Sequence, residues 1–187
     1  LVSCGSSIKS PTNLPTFETD PSINDPSIMV KKSNALNDLE ASILDQINQY
    51  RKSKNLPALQ LNSYLSQQAR LHSENLMKGQ SSQLNSRFQT ISQQIPYQRI
   101  AVNISSNQGY ADPATVAVEG WFNNSQNRQH LEGDFDITGI GISRNFEGKY
   151  YITQIYLKKQ GSASSNLVAA STDTIEQEIF KQVNQYR

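Results

Sequence analysis

The chain has 187 residues, one cysteine and a formal net charge of +1. That length fits one ordinary domain plus tails, the single thiol excludes an internal disulfide scaffold, and the balanced charge argues against a dedicated nucleic-acid binder. Hydrophobic residues make up 36% and charged residues 18%, against about 45–50% and 25% in typical domains. Ser, Asn and Gln fill the gap, a polarity without charge that suits an extracytoplasmic surface or a partly disordered chain. No apolar run reaches the roughly 18 residues that a membrane span needs.

The chain opens Leu1-Val2-Ser3-Cys4-Gly5. A small residue before Cys, with apolar residues before that, is the pattern that ends a bacterial lipoprotein signal peptide. On this reading Cys4 is the lipidation site, and its acyl chains make the membrane a partner. Residues 1–34 are then a lipoprotein N-terminus and disordered tether, interrupted by Pro11, Pro15, Pro21 and Pro26. Such a segment buries too little to offset its ordering entropy.

Residues 36–51 are predicted as a helix, with Asn34 or Asn37 as its cap and Asn55-Leu-Pro57 as its stop. A second helix is predicted over 61–78, with Leu61, Leu65, Ala69, His72 and Leu76 on one face and Gly79 as its end. The stretch 80–98 is polar; Ile91 and Ile95 suggest a short helix before Pro96. Asp112-Pro113 starts another helix, running to about Asn124 and burying Val116 and Trp121. Ile137–Ile142 and Tyr150–Leu157 are β-rich, and Glu147-Gly148 between them predicts an antiparallel hairpin. Helices first and a hairpin last give an α+β layered domain.

The far end carries a repeat. Residues 175–187 match residues 39–51 at a constant offset, both ending Asn-Gln-Tyr-Arg, and apolar residues fall at helical spacing in each copy. Residues 160–172, with Gly161-Ser-Ala-Ser-Ser-Asn166, read as a linker. Residues 173–187 then read as the first helix of a truncated second domain.

The ordered motifs resemble the CAP superfamily (cysteine-rich secretory proteins, antigen 5 and plant pathogenesis-related proteins), in its bacterial extracytoplasmic SCP-like form. The matching pieces are Ile47-Asn-Gln-Tyr-Arg51 with Leu56-Pro-Ala-Leu59, Ala69-Arg-Leu-His-Ser73, Ala101-Val-Asn-Ile104, Trp121 followed by Asn124-Ser125 and Arg128, Phe135-Asp-Ile-Thr-Gly-Ile-Gly141, and Tyr150-Tyr-Ile-Thr-Gln154. The resemblance places the domain at about 35–159 and implies a three-layer α-β-α sandwich with a C-terminal antiparallel hairpin.

The resemblance also implies a cleft with two His and one or two acidic residues, which binds a divalent metal in some members. Here the positions matching that site are substituted: Val102 before Asn103-Ile104, Asn127 six residues after Trp121, Asn124 three residues after it, and Ser81 where the register is looser. From Asn75 to Ala111 there is no His, Asp or Glu, so no shift of register recovers the first His or the Glu. Neutral amides and a hydrocarbon offer little to offset a divalent ion's lost hydration. No metal, no cofactor and no catalytic residue is therefore expected. His72 and His130 are the possible cleft contributors, and His72 reads first as a buried, hydrogen-bonded scaffold residue on the second helix. His130 lies three residues after Asn127, about one turn, and is the candidate to replace part of the lost site.

The expected function is that of a surface-anchored, extracytoplasmic, non-catalytic binding module with the family's metal and acid–base tetrad lost. Its partners would be the membrane through the N-terminal lipid, cell-wall or matrix polysaccharide, and a second CAP domain in the same chain, but no nucleic acid. The alternatives are a hydrolase or protease-like enzyme using non-family residues, or a lipid or sterol-type carrier.

Overall fold

A computed structural model describes residues 26–80 and 84–161. Cys4, Ser81 and the second Asn-Gln-Tyr-Arg copy lie outside the described residues. Helix α1 spans Pro26–Ser53, ten residues earlier than the predicted start. Proline is well placed in a first helical turn, and no Gly or Pro interrupts the chain before Pro57. Residues 26–34, expected as tether, are thus helical, and Asn34 and Asn37 lie inside the helix rather than capping it. Residues 26–34 belong to an N-terminal unit, and the domain proper begins at Ala35.

Strand β1 is the pair Gln60–Leu61, and α2 follows over Ser63–Met77. Asn62 Oδ1 accepts from Leu65 N at 3.0 Å, so the helix is capped there. Leu61, assigned above to the buried helical face, instead sits in β1 and is 54% exposed. Leu65, Ala69 and His72 are buried as expected, while Leu76 is half-buried. Helix α3 is Leu84–Gln94, holding Ile91 in the core. Strand β2, Tyr97–Asn107, falls where the sequence predicts no strand. Ala101 and Val102 on opposite faces are both buried, so the strand lacks the alternation that marks a half-exposed one.

Helix α4 is Pro113–Asn123, capped by Asp112, whose carboxylate accepts from Ala114 N and Thr115 N at 3.1 Å each. Its buried residues include Val118 and Trp121; Val116 is only half-buried, because Ala114, Ala117 and Val118 hold the inner face. Helix α5 is Ser125–Glu132, and the hairpin is β3, Ile137–Arg144, with β4, Tyr150–Lys159. The sheet order is β1-β3-β4-β2, with β1 parallel to β3 and the other pairs antiparallel.

The period of two along the strands builds two cores. Ala101, Ile140, Ile142, Ile152 and Tyr156 pack with Ile43, Ile47, Ala117, Trp121 and Leu131 from α1, α4 and α5. Ile100, Val102, Ile137, Ile155 and Leu157 pack with Leu65, Ala69, Phe88 and Ile91 from α2 and α3. Helix, sheet and helix thus form the expected three layers.

Two glycines set how closely α2 approaches. A Cβ on Gly139 would overlap the backbone of Leu65 and Ser66, and one on Gly141 would overlap that of Ala69 and Arg70. Beyond short β1, the outer edge of β3 is bonded by side chains: Ser66 Oγ accepts from Ile140 N at 3.4 Å and Glu40 Oε1 from Ile142 N at 3.2 Å. Buried Glu40 is held in turn by Arg70 Nε at 2.9 Å. An edge that would otherwise invite another strand is closed this way.

The Asn-Gln-Tyr-Arg motif at the end of α1 is a clamp. Asn48 bonds Leu59 in both directions, from Nδ2 to the carbonyl at 3.1 Å and from the Leu59 amide to Oδ1 at 2.8 Å. Tyr50 donates to Glu132 and stacks edge-on against Phe122, 4.2 Å between centroids. Arg51 is 1% exposed. Its Nε donates to the Pro57 carbonyl at 2.8 Å, and its Nη1 to the carbonyls of Leu131 and Gly133 at 2.8 and 3.0 Å.

Gly139→Ala and Gly141→Ala are each expected to destabilise the domain by about 3 kcal/mol, since helix and sheet must part. Gly120→Ala, in α4 with nothing within 4 Å of the added carbon, is expected to be neutral or mildly stabilising. Urea unfolding midpoints of the three variants check this.

Candidate polar site on the sheet

The face of the sheet that meets α5 carries a chain of neutral hydrogen-bonding groups. Thr138 Oγ1 donates to the Ile155 carbonyl at 2.8 Å and accepts from Gln154 Nε2 at 3.1 Å. Gln154 Oε1 accepts from the Tyr156 hydroxyl at 2.7 Å. The Tyr156 oxygen accepts from Asn103 Nδ2 at 3.2 Å, and the same amide nitrogen reaches the Asn127 carbonyl at 3.2 Å. Asn103 Oδ1 is therefore turned to His130 Nδ1, 2.7 Å away. Thr138, Gln154, Tyr156 and Asn103 are all fully buried. Burial pushes the Tyr156 phenol well above its ordinary range, so it stays protonated and donates.

The direction of this chain fixes a proton. An amide oxygen only accepts, so His130 Nδ1 must carry hydrogen, and Nε2 bears the lone pair of the neutral ring. The ring is half-buried and sits beside Tyr156, 6.2 Å between centroids.

His72 lies on the other face. Its Nδ1 is 2.9 Å from Thr153 Oγ1, which is 2.9 Å from Ser73 Oγ; Ser73 also bonds the Gly141 carbonyl at 2.8 Å. Nε2 of His72 is buried without a hydrogen-bond partner, as is Nε of Arg87 on α3. Burial first, and then the charge of Arg87, lowers the His72 pKa to about 4.

The sequence-matched site positions divide accordingly. Val102 points into the apolar cluster of α2 and α3, 4% exposed. Asn127 and His130 lie against Asn103 on the opposite face. Asn124 is an exposed helix cap: its Oδ1 accepts from Gln126 N and Asn127 N at 3.0 Å each. The sheet separates His72 from His130, so the two histidines, both expected as possible contributors to one cleft, do not converge. His72 matches its scaffold reading. Its bond to Thr153 and packing under α2 place it in the core. Asn103, Gln154, Tyr156, Arg51 and Arg87 were not singled out. The signal was present for Asn103 and Gln154, as amides inside apolar, β-rich runs.

The sequence profile of the cysteine-rich secretory protein family (CAP) matches residues 44–156. The chain belongs to the CAP family. Its domain is similar to an extracellular SCP-domain protein of Bacillus anthracis, with 23% identity, a TM-score of 0.54, and coverage of 66% of this chain and 41% of that one. It is similar to a cysteine-rich secretory protein of Staphylococcus aureus, with 25% identity, a TM-score of 0.50, and coverage of 66% and 39%. An outer surface protein of Borrelia burgdorferi shares the fold at 15% identity, with a TM-score of 0.58 and coverage of 66% and 94%. The chain thus spans about two fifths of the Bacillus and Staphylococcus proteins. No curated protein sequence matches it significantly.

At Val102, Asn124 and Asn127, the described positions that the resemblance matches to the family's site, a divalent ion finds no fitting ligands. Val102 is a hydrocarbon in an apolar cluster, Asn124 Oδ1 is occupied by two backbone amides, and Asn127 supplies at most a neutral amide. Among the described residues no group of three or more His, Cys, Asp or Glu lies together where it could hold a metal ion.

Two outcomes are expected. An unfolded chain binds a proton at His72 with an ordinary imidazole pKa near 6.5, whereas the folded one does so only near 4. The contribution is therefore complete above about pH 6.5 and is lost as pH falls through 4, by about 3 kcal/mol in all. His72→Gln should flatten that part of the pH dependence when unfolding is measured at neutral and acid pH. In nitrogen-15 correlation spectra, neutral His130 should show the Nδ1-protonated tautomer, and Asn103→Ala should lose that preference.

Proposed function

We propose that the chain is a surface-anchored, extracytoplasmic CAP module that binds a polar, uncharged ligand, namely cell-wall or matrix polysaccharide. The observation that carries this reading is the directed chain of neutral groups from Thr138 to half-buried His130. Hydrogen-bonding groups already fixed by buried partners lose little entropy when a hydroxyl-rich ligand meets them. Exposed Asn124, Arg128 and Gln129 add further polar groups on and beside α5. The location is supported by the extracellular bacterial relatives. Among the described residues, no helix is long and apolar enough to cross a membrane. Attachment would come from acyl chains on Cys4. A second CAP domain beginning at 173–187 would add avidity through linkage rather than new contacts.

One observation favours a hydrolase as the second reading. An imidazole oriented by Asn103 stands half-buried at the end of the polar chain, the residue type most often used as a general base.

The test is a pull-down on purified peptidoglycan and matrix polysaccharide with the full chain. Retention above a matched control is expected, falling about fivefold or more in His130→Ala, roughly the loss of one hydrogen bond. Retention no greater than the control overturns the binding reading. Release of soluble fragments that disappears with His130→Ala replaces it with the hydrolase. Separately, radiolabelled fatty acid should be incorporated in a bacterial host and lost in Cys4→Ser.

A further inference from the structure

The turn between β3 and β4 presents an uncovered aromatic ring. Phe146 is 97% exposed, although a phenyl ring in water forgoes one of the largest burial gains of any side chain. The turn that displays it is closed by its own hydrogen bonds. Asn145 N donates to the Lys149 carbonyl at 3.0 Å, Gly148 N to the Asn145 carbonyl at 3.2 Å, and Lys149 N to Asn145 Oδ1 at 2.8 Å. Gly148, at φ +86°, takes the left-handed conformation that closes it. Gln108 Nε2 donates to the Glu147 carbonyl at 2.8 Å and ties a second loop to the turn. Tyr110, two residues beyond that bond, is 58% exposed.

Cations stand at both ends of the turn. Arg144 lies over the Tyr150 ring at 5.1 Å, and Lys149 over the Tyr151 ring at 5.3 Å. Both aromatics begin β4, so the end of the sheet that carries the exposed phenyl also carries two tyrosines and two cations.

We propose that this tip contacts a membrane: Phe146, aided by Tyr110, enters the interfacial layer of an anionic bilayer, while Arg144 and Lys149 meet lipid phosphates. Aromatic rings favour that layer, and long cations bury their stems there while their heads stay at phosphate depth. A sugar would be a poorer occupant. Phenylalanine offers no donor or acceptor, and the Asn145 side chain and the Glu147 carbonyl are already bonded within the turn and loop. Within the turn itself, residues 144–149, Arg144 and Lys149 outnumber the single acid, Glu147. The tip uses none of the residues of the polar chain around His130, so it stands or falls apart from the polysaccharide reading.

The experiment uses the full chain with Cys4→Ser, so that no acyl chain contributes, and a Phe146→Trp reporter. Trp121 is 1% exposed and supplies a constant background. With vesicles of phosphatidylcholine and phosphatidylglycerol, the emission should shift to the blue and be quenched by brominated acyl chains. Phe146→Ser should lower vesicle partitioning about tenfold or more. Arg144→Gln and Lys149→Gln should each lower it about fivefold on anionic vesicles and hardly at all on phosphatidylcholine alone. Unchanged urea midpoints would show that the variants are folded. An unshifted emission, or a Phe146→Ser chain that partitions like its parent, overturns the proposal. A shift on polysaccharide but not on vesicles overturns it in favour of a sugar.

Discussion

The close approach of α2 to β3 is the constraint on which the other placements rest. Gly139 and Gly141 leave no room for a methyl group between strand and helix. With the two backbones that near, Ser73 reaches the Gly141 carbonyl and His72 reaches Thr153 on the next strand. The same approach brings Ser66 to the β3 edge, while Glu40, held by Arg70, closes it further along. A wider spacing would strand each of these buried groups without a partner, at a cost comparable to a lost hydrogen bond apiece. Two missing side chains thus set the positions of at least five polar ones.

The unusual composition finds a physical place in the interior. Among the described residues, the buried polar ones include Ser66, Gln68, Ser73, Asn103, Asn107, Thr138, Thr153 and Gln154, and the buried charged ones are Glu40 and Arg51. Neutral groups can be buried at modest cost if they bond one another, whereas each ion needs a counter-charge or several dipoles. Arg51 takes the second solution, with three backbone carbonyls. The chain from Thr138 to His130 takes the first, and its fixed polarity is what gives His130 a defined tautomer.

The helices and the hairpin were legible because they carry period and punctuation. Asp112-Pro113 marks a start, Glu147-Gly148 a turn, and Leu65, Ala69 and His72 a face. Strand β2 was not, because Ala101 and Val102 are both buried and no alternation survives. The early start of α1 was missed because Pro26 reads equally as a tether residue or a first-turn proline. At the site, the substitutions at Val102, Asn124 and Asn127 were readable by motif, but which face each residue takes was not. That depends on the parity of β2 against β4, and parity is set by pairing rather than by any local signal. The partnership of Asn103 with His130, 27 residues apart, follows from the same pairing.

The burial of Arg51 also has a temporal side. Its guanidinium sits at the end of the first helix, yet two of its three carbonyl partners lie 80 and 82 residues further along. A chain made from its N-terminus must keep that charge hydrated until Leu131 and Gly133 have been synthesised. The end of α1 therefore cannot be sealed as a local event; it locks only when most of the domain is present. Contacts of such sequence separation slow folding and make it all-or-none. The domain's oldest helix is among the last to be fastened.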